Sequence, residues 1–115
     1  MNQSDVTSGD LCPLAEAALL LSSKWDLIII YNLIDGPLRF SQLKEKISSG
    51  IRTPITSSSL TRILRKLESE ELVERDISAE VGESVEITYQ VTPRGLALQS
   101  TISELKKWGS EFLFQ

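Results

Sequence analysis

The sequence contains no histidine and a single cysteine, Cys12, among its 115 residues. Without imidazole there is no Ser-His-Asp or Cys-His nucleophile, no imidazole general base and no His-containing zinc or iron site. One thiol excludes a four-cysteine zinc site, a CxxC redox pair and any disulfide within the chain. Carboxylate, Lys or Tyr chemistry stays open, but the acids Glu68, Glu70, Glu71 and Glu74 form a solvated run near a helix end with no evident catalytic partner. No enzyme activity, metal or cofactor is therefore expected.

Long apolar runs are missing too. The longest, Ala17 to Leu21 and Leu27 to Tyr31, fall far short of the roughly 20 residues of a membrane helix. Residues 1–10 are polar, with Asp5 and Asp10 and no basic start, unlike a secretory signal. The expectation is a flexible N-terminus over 1–10 followed by one cytoplasmic domain over 11–115.

What is present is a succession of helical patterns followed by one change of period. Pro13 opens an apolar helix running to Leu21, and a second, from Lys24 to about Ile34, is apolar on more than one face and belongs at the centre of the core. Gly36-Pro37 ends it. A third helix, with Ser41 as its expected cap, aligns Phe40, Leu43 and Ile47, and a fourth, capped by Thr56 or Ser57, carries Leu60, Ile63, Leu64 and Leu67. After Leu72 the period falls to two. Val85, Ile87, Tyr89 and Val91 alternate with polar residues, the pattern of a strand with one buried face, and Leu72 to Ile77 supplies an antiparallel partner. Thr92-Pro93 then opens a fifth helix along which Leu98, Ile102, Leu105, Trp108 and Phe112 recur. The fold class predicted is mainly α with a small β-hairpin: a winged helix-turn-helix with an additional helix at each end.

The net charge of −4 conceals a strong segregation. From Arg39 to Lys66 seven basic residues face the single acid Glu45, a net of +6, while the rest of the chain carries five basic and fifteen acidic residues, a net of −10. A basic footprint is a matter of distribution rather than of totals. On the fourth helix Ser58, Thr61, Arg62 and Arg65 share the face opposite the leucine stripe. Such hydroxyls reach phosphates or base edges, and Arg forks onto guanine or a phosphate, as a helix in a major groove requires. A polar outer face is also what an ordinary surface helix shows, and a winged helix with an acidic remainder would equally serve as a protein-interaction module.

Three stretches, KWDLIIIYNLIDGPLRFSQL (24–43), ITSSSLTRILRKLESEELVER (55–75) and VEITYQVTPRGLAL (85–98), with Cys12-Pro13-Leu14 before them, resemble the HxlR family of bacterial and archaeal transcriptional regulators. The similarity spans about Leu11 to Gly109. Its most specific pieces are Lys24-Trp25, the Gly36 to Phe40 junction and Leu60-Thr61. The resemblance implies a homodimer that binds double-stranded DNA at an inverted-repeat operator, with a recognition helix at about 56–70 in the major groove. By position it implies that Thr56, Ser57, Ser58, Thr61, Arg62 and Arg65 face DNA, with Arg39 near a phosphate. It further implies that Leu14, Leu21, Leu105, Trp108 and Phe112 serve the dimer contact or the core beneath it. Family members often carry bulkier polar or basic residues where this chain has Ser57 and Ser58; Arg52-Thr53-Pro54 looks like an addition before the recognition helix, and Arg52 would supply a replacement contact. The wing tip carries Glu80 and Glu83 where family wings are commonly basic, so either Arg75 alone grips the backbone or the wing stands clear of DNA. Cys12 stands where several members place an oxidant- or electrophile-sensing thiol, which makes it the candidate redox sensor.

Overall fold

The computed structural model describes residues 11–51, 53–78 and 85–114. The N-terminal segment expected to be flexible, Arg52 and the hairpin turn with Glu80 and Glu83 lie outside them. The described elements run α1 (Pro13–Leu20), α2 (Lys24–Leu33), β1 (Leu38–Arg39), α3 (Phe40–Ser48), α4 (Ser57–Ser69), β2 (Val73–Ser78), β3 (Glu86–Val91), α5 (Pro93–Leu96) and α6 (Gln99–Leu113). The chain is mainly helical with a small antiparallel sheet of order β1-β3-β2.

The core is built where the helical stripes converge. Ile29, Ile30 and Leu33 of α2 meet Leu43 and Ile47 of α3 and Leu60, Ile63, Leu64 and Leu67 of α4, all essentially solvent-free. At about 25 cal/mol per Å² of apolar area removed from water, these side chains are the main source of stability. Leu72 and Val73 close the core from the base of the hairpin and Ile102 closes it from α6.

Local chemistry fixes the element ends. Ser23 Oγ accepts from the Trp25 N–H at 3.1 Å and Asp26 Oδ2 accepts from the Ser23 N–H at 3.0 Å, a reciprocal cap that starts α2 after only three residues beyond α1. Gly36, at φ +148°, makes the turn into β1. The cap expected from Ser41 is not used: α3 begins at Phe40, and Gln42 Oε1 accepts from the Arg39 N–H at 2.9 Å. The short strand β1 holds Arg39 in extended conformation, paired with Thr88, which sets the N-cap at Arg39, two residues earlier than Ser41.

Helix α4 ends with Glu71 in the left-handed region, φ 62°, while the Leu72 N–H reaches back to the Leu67 carbonyl at 2.9 Å. That position favours glycine, because a Cβ there crowds the following carbonyl. Glu71→Gly is therefore expected to raise stability by about 1 kcal/mol, read as a higher melting temperature.

Two expectations need correction. The hairpin does not bury one whole face: Tyr89 and Val91 pack against the core, but Val85 and Ile87 are exposed, as is Ile77 on β2. Among the described residues, only the base of the hairpin packs on the helices. The C-terminal helix is also interrupted. Thr92 Oγ1 caps α5 by accepting from the Gly95 N–H, and the chain turns at Ala97–Leu98 before α6 begins. Helix α5 is held against the hairpin base whereas α6 lies along α2, so one straight rod cannot satisfy both contacts.

Candidate nucleic-acid interface

Helix α4 presents two opposite faces. The inner one is the buried stripe; the outer one carries Ser58, Arg62 and Arg65, all exposed, with Thr61 half-buried at its margin. Arg62 and Arg65 make no ion pair among the described residues. Ser57 is exposed in the first turn. Thr56 is engaged structurally, since its Oγ1 accepts from the Ser59 N–H at 3.2 Å and lies 3.5 Å from Ser58 Oγ. It is the N-cap of α4, so its hydroxyl is already used in starting the helix.

The remaining basic residues are not equivalent. Arg39 pairs with Glu86 of β3, across the strand junction that puts Arg39 opposite Thr88. Arg75 lies 3.8 Å from Glu68 at the end of α4. Both pairs are largely exposed, and such contacts contribute only about 0–1 kcal/mol, so a phosphate can compete for either guanidinium. Arg52 lies outside the described residues. Lys66, counted in the +6 window, turns inward: its Nζ donates to Asp26 Oδ2 at 2.8 Å, and Asp26 is wholly buried. The cationic face of α4 thus consists of Arg62 and Arg65. Sequence reasoning missed Asp26 altogether, although an acid in the first turn of an otherwise apolar helix was the signal available.

The wing offers little positive charge. On β2 Arg75 is flanked by Glu74 and Asp76, and Glu74 accepts from Gln90 at 2.7 Å. On the described part of the wing Arg75 is thus the one basic residue, set among acids.

The apolar residues assigned to dimer contact or core divide. Leu21 packs against the core as a partly buried residue. Leu14, Leu105, Trp108 and Phe112 do not: they are exposed by 77%, 52%, 51% and 60%, so core packing is excluded for these four. Trp108 and Phe112 stack with ring centroids 5.6 Å apart on the same face of α6 as Leu105. Helix α1 has no buried residue at all. Cys12 sits at its N-cap, exposed, and its side chain makes no cap hydrogen bond.

Four helices leading into a small antiparallel sheet, the last of them amphipathic and offering hydroxyls and arginines outward, define a winged helix-turn-helix regulator of transcription. The HxlR-like helix-turn-helix family model matches residues 20–115, and the chain belongs to that family. It is 36% identical over 103 residues to the HTH-type transcriptional regulator YodB of Bacillus subtilis, covering 89% of this chain and 86% of YodB. It is 32% identical over 114 residues to the regulator YvaP of the same organism, covering 98% and 94%. Among solved structures, reduced YodB superposes with a TM-score of 0.71 at 36% identity over 90% of this chain and 95% of that one. The redox regulator HypR in its reduced form superposes with a TM-score of 0.74 at 29% identity over 87% and 92%. YodB has also been solved diamide-treated and quinone-bound. These relatives are transcriptional regulators, not enzymes. Among the described residues no helix is long and apolar enough to cross a membrane.

Proposed function

We propose that this chain acts as a cytoplasmic homodimer over residues 11–115, each copy placing α4 in the major groove of one half-site of an inverted-repeat operator. The observation that carries this reading is the outer face of α4, where Ser58, Arg62 and Arg65 stand exposed and the two arginines have no ion-pair partner among the described residues. Arg39 and Arg75 contact the flanking backbone once DNA phosphates displace Glu86 and Glu68. The exposed residues of α1 and α6 join the two copies and set the recognition helices about 34 Å apart, one turn of duplex.

Anisotropy titrations against duplexes selected from genomic fragments, at two salt concentrations, test it. Affinity falls steeply with salt if α4 and its neighbours neutralise phosphates. Arg62→Ala or Arg65→Ala weakens binding by about 1–3 kcal/mol if the residue reads a base edge, whereas a phosphate contact mainly flattens the salt dependence. Enrichment of no fragment over bulk DNA would favour the protein-interaction module instead.

A second property is supported by the exposure of Cys12 and by the reduced, diamide-treated and quinone-bound forms in which YodB has been solved. Cys12 is the redox sensor, through modification of its thiol or a bond between subunits. Diamide or a quinone then changes the DNA affinity of the wild-type chain and leaves that of Cys12→Ser unaltered; equal responses in both exclude the role.

A further inference from the structure

The contact between Asp26 and Lys66 joins residues 40 apart in sequence and binds the first turn of α2 to the last turn of α4. One oxygen does both jobs: Asp26 Oδ2 closes the cap on Ser23 and accepts from Lys66 Nζ, while Oδ1 has no hydrogen-bond partner. Lys66 keeps a third of its side chain exposed and Asp26 none. Burying a carboxylate in this way is expensive in desolvation, and a pair of well-packed apolar residues would stabilise the fold about as well. Stability alone therefore does not account for the pair.

Geometry does. The leucines and isoleucines that seat α4 are non-directional, and cores built on such packing lose uniqueness of arrangement before they lose stability. Among the described residues Lys66–Asp26 is the one side-chain hydrogen bond that leaves α4 for another helix. Lys66 lies one residue beyond Arg65 and four beyond Arg62, between the buried stripe and the outer face. Pinning it fixes the rotation of α4 about its own axis, and with it the direction in which both arginines project.

We propose that Asp26 and Lys66 are positioning residues for DNA recognition: they do not touch DNA but set the angle at which α4 offers Ser58, Arg62 and Arg65 to the groove. This rests on the DNA-binding reading of α4. The anchoring oxygen also closes the start of α2.

The test uses the full chain, the tightest duplex that wild type selects from a random-sequence library, and an unrelated duplex of equal length. Lys66→Gln, and an apolar exchange combining Asp26→Leu with Lys66→Met, are expected to lower the preference for the selected duplex by about tenfold, the size of one lost base-pair match. Repeating the selection with either variant returns a broader consensus, an outcome that lost stability alone does not produce. Lys66→Arg, which keeps the charge pair, holds the preference within about threefold of wild type. Should the apolar exchange fail to fold, Lys66→Gln against Lys66→Arg decides. Without DNA, amide hydrogen exchange in α4 of Lys66→Gln is expected to quicken by about tenfold while Ile29 to Leu33 stay protected. Preference retained within about twofold by the folded Gln and apolar variants, or unchanged exchange in α4, overturns the proposal. If wild type selects no duplex, the DNA-binding reading fails, and the exchange measurement alone decides whether the pair orients α4.

Discussion

Gly95→Ala is expected to lower stability by about 3 kcal/mol, a drop in melting temperature on the order of 10–20 °C for a domain of this size. Helix propensity points the other way, since Ala is favoured over Gly by about 1 kcal/mol in a helix interior. Sterics decide the sign. A Cβ on Gly95 would lie 2.2 Å from the Leu72 carbonyl oxygen, and that oxygen is not free to retreat because it accepts from the Thr92 N–H at 3.1 Å. Thr92 is held in turn, donating its hydroxyl to the Glu71 carbonyl at 2.6 Å and accepting from the Gly95 N–H at 3.0 Å. The methyl group must therefore push α5 away from the joint where α4 ends and β2 begins. A thermal melt showing Gly95→Ala within about 2 °C of wild type would mean that α5 shifts without cost. DNA affinity is expected to fall as well, because the same joint sets the wing against α4.

The parts of this arrangement legible in the sequence are those that a local pattern encodes. The i, i+3, i+4, i+7 stripe of Leu60, Ile63, Leu64 and Leu67 marked both faces of α4, and all four are buried. Thr92-Pro93 marked a helix start correctly. The two-residue strand β1 was not legible, because Leu38-Arg39 has no period of its own and is a strand only through pairing with Tyr89 and Thr88 some fifty residues on. The break at Ala97–Leu98 was hidden for the reverse reason: the apolar spacing continues through it, and the turn arises from what α5 and α6 separately pack against.

Within the candidate site, position along α4 identified the outward residues, but their electrostatic state was a tertiary matter. Lys66 and Arg39 count toward the +6 window just as Arg62 and Arg65 do, and Arg75 is the candidate backbone grip, until Asp26, Glu86 and Glu68 are brought beside them. Charge segregation along a sequence thus gives an upper bound on the cationic face. Folding trims it to the outward Arg62 and Arg65, because Lys66, Arg39 and Arg75 each find an acid.

Under the proposed pairing of two copies, Trp108→Glu is expected to leave monomers in sedimentation or light scattering, and with that to weaken binding to an inverted repeat by at least about 100-fold. Leu105, Trp108 and Phe112 form one stripe on α6, each at least half exposed, and the Trp108 and Phe112 rings already support each other at 5.6 Å. Aromatic residues so placed are typical anchors of a protein interface, where a charge would be stranded without a partner. The stripe has a companion in α1, which has no buried residue and is eight residues long, too short to persist without a packing surface. Among the described residues neither element packs extensively against α4, so loss of DNA binding in Trp108→Glu would act through lost pairing of half-sites. That separates it from Arg62→Ala. A half-site duplex distinguishes the two: Trp108→Glu binds it as wild type does, while Arg62→Ala binds it less well. A Trp108→Glu chain that remained dimeric would move the interface away from α6 and leave the exposed aromatic stripe to another partner.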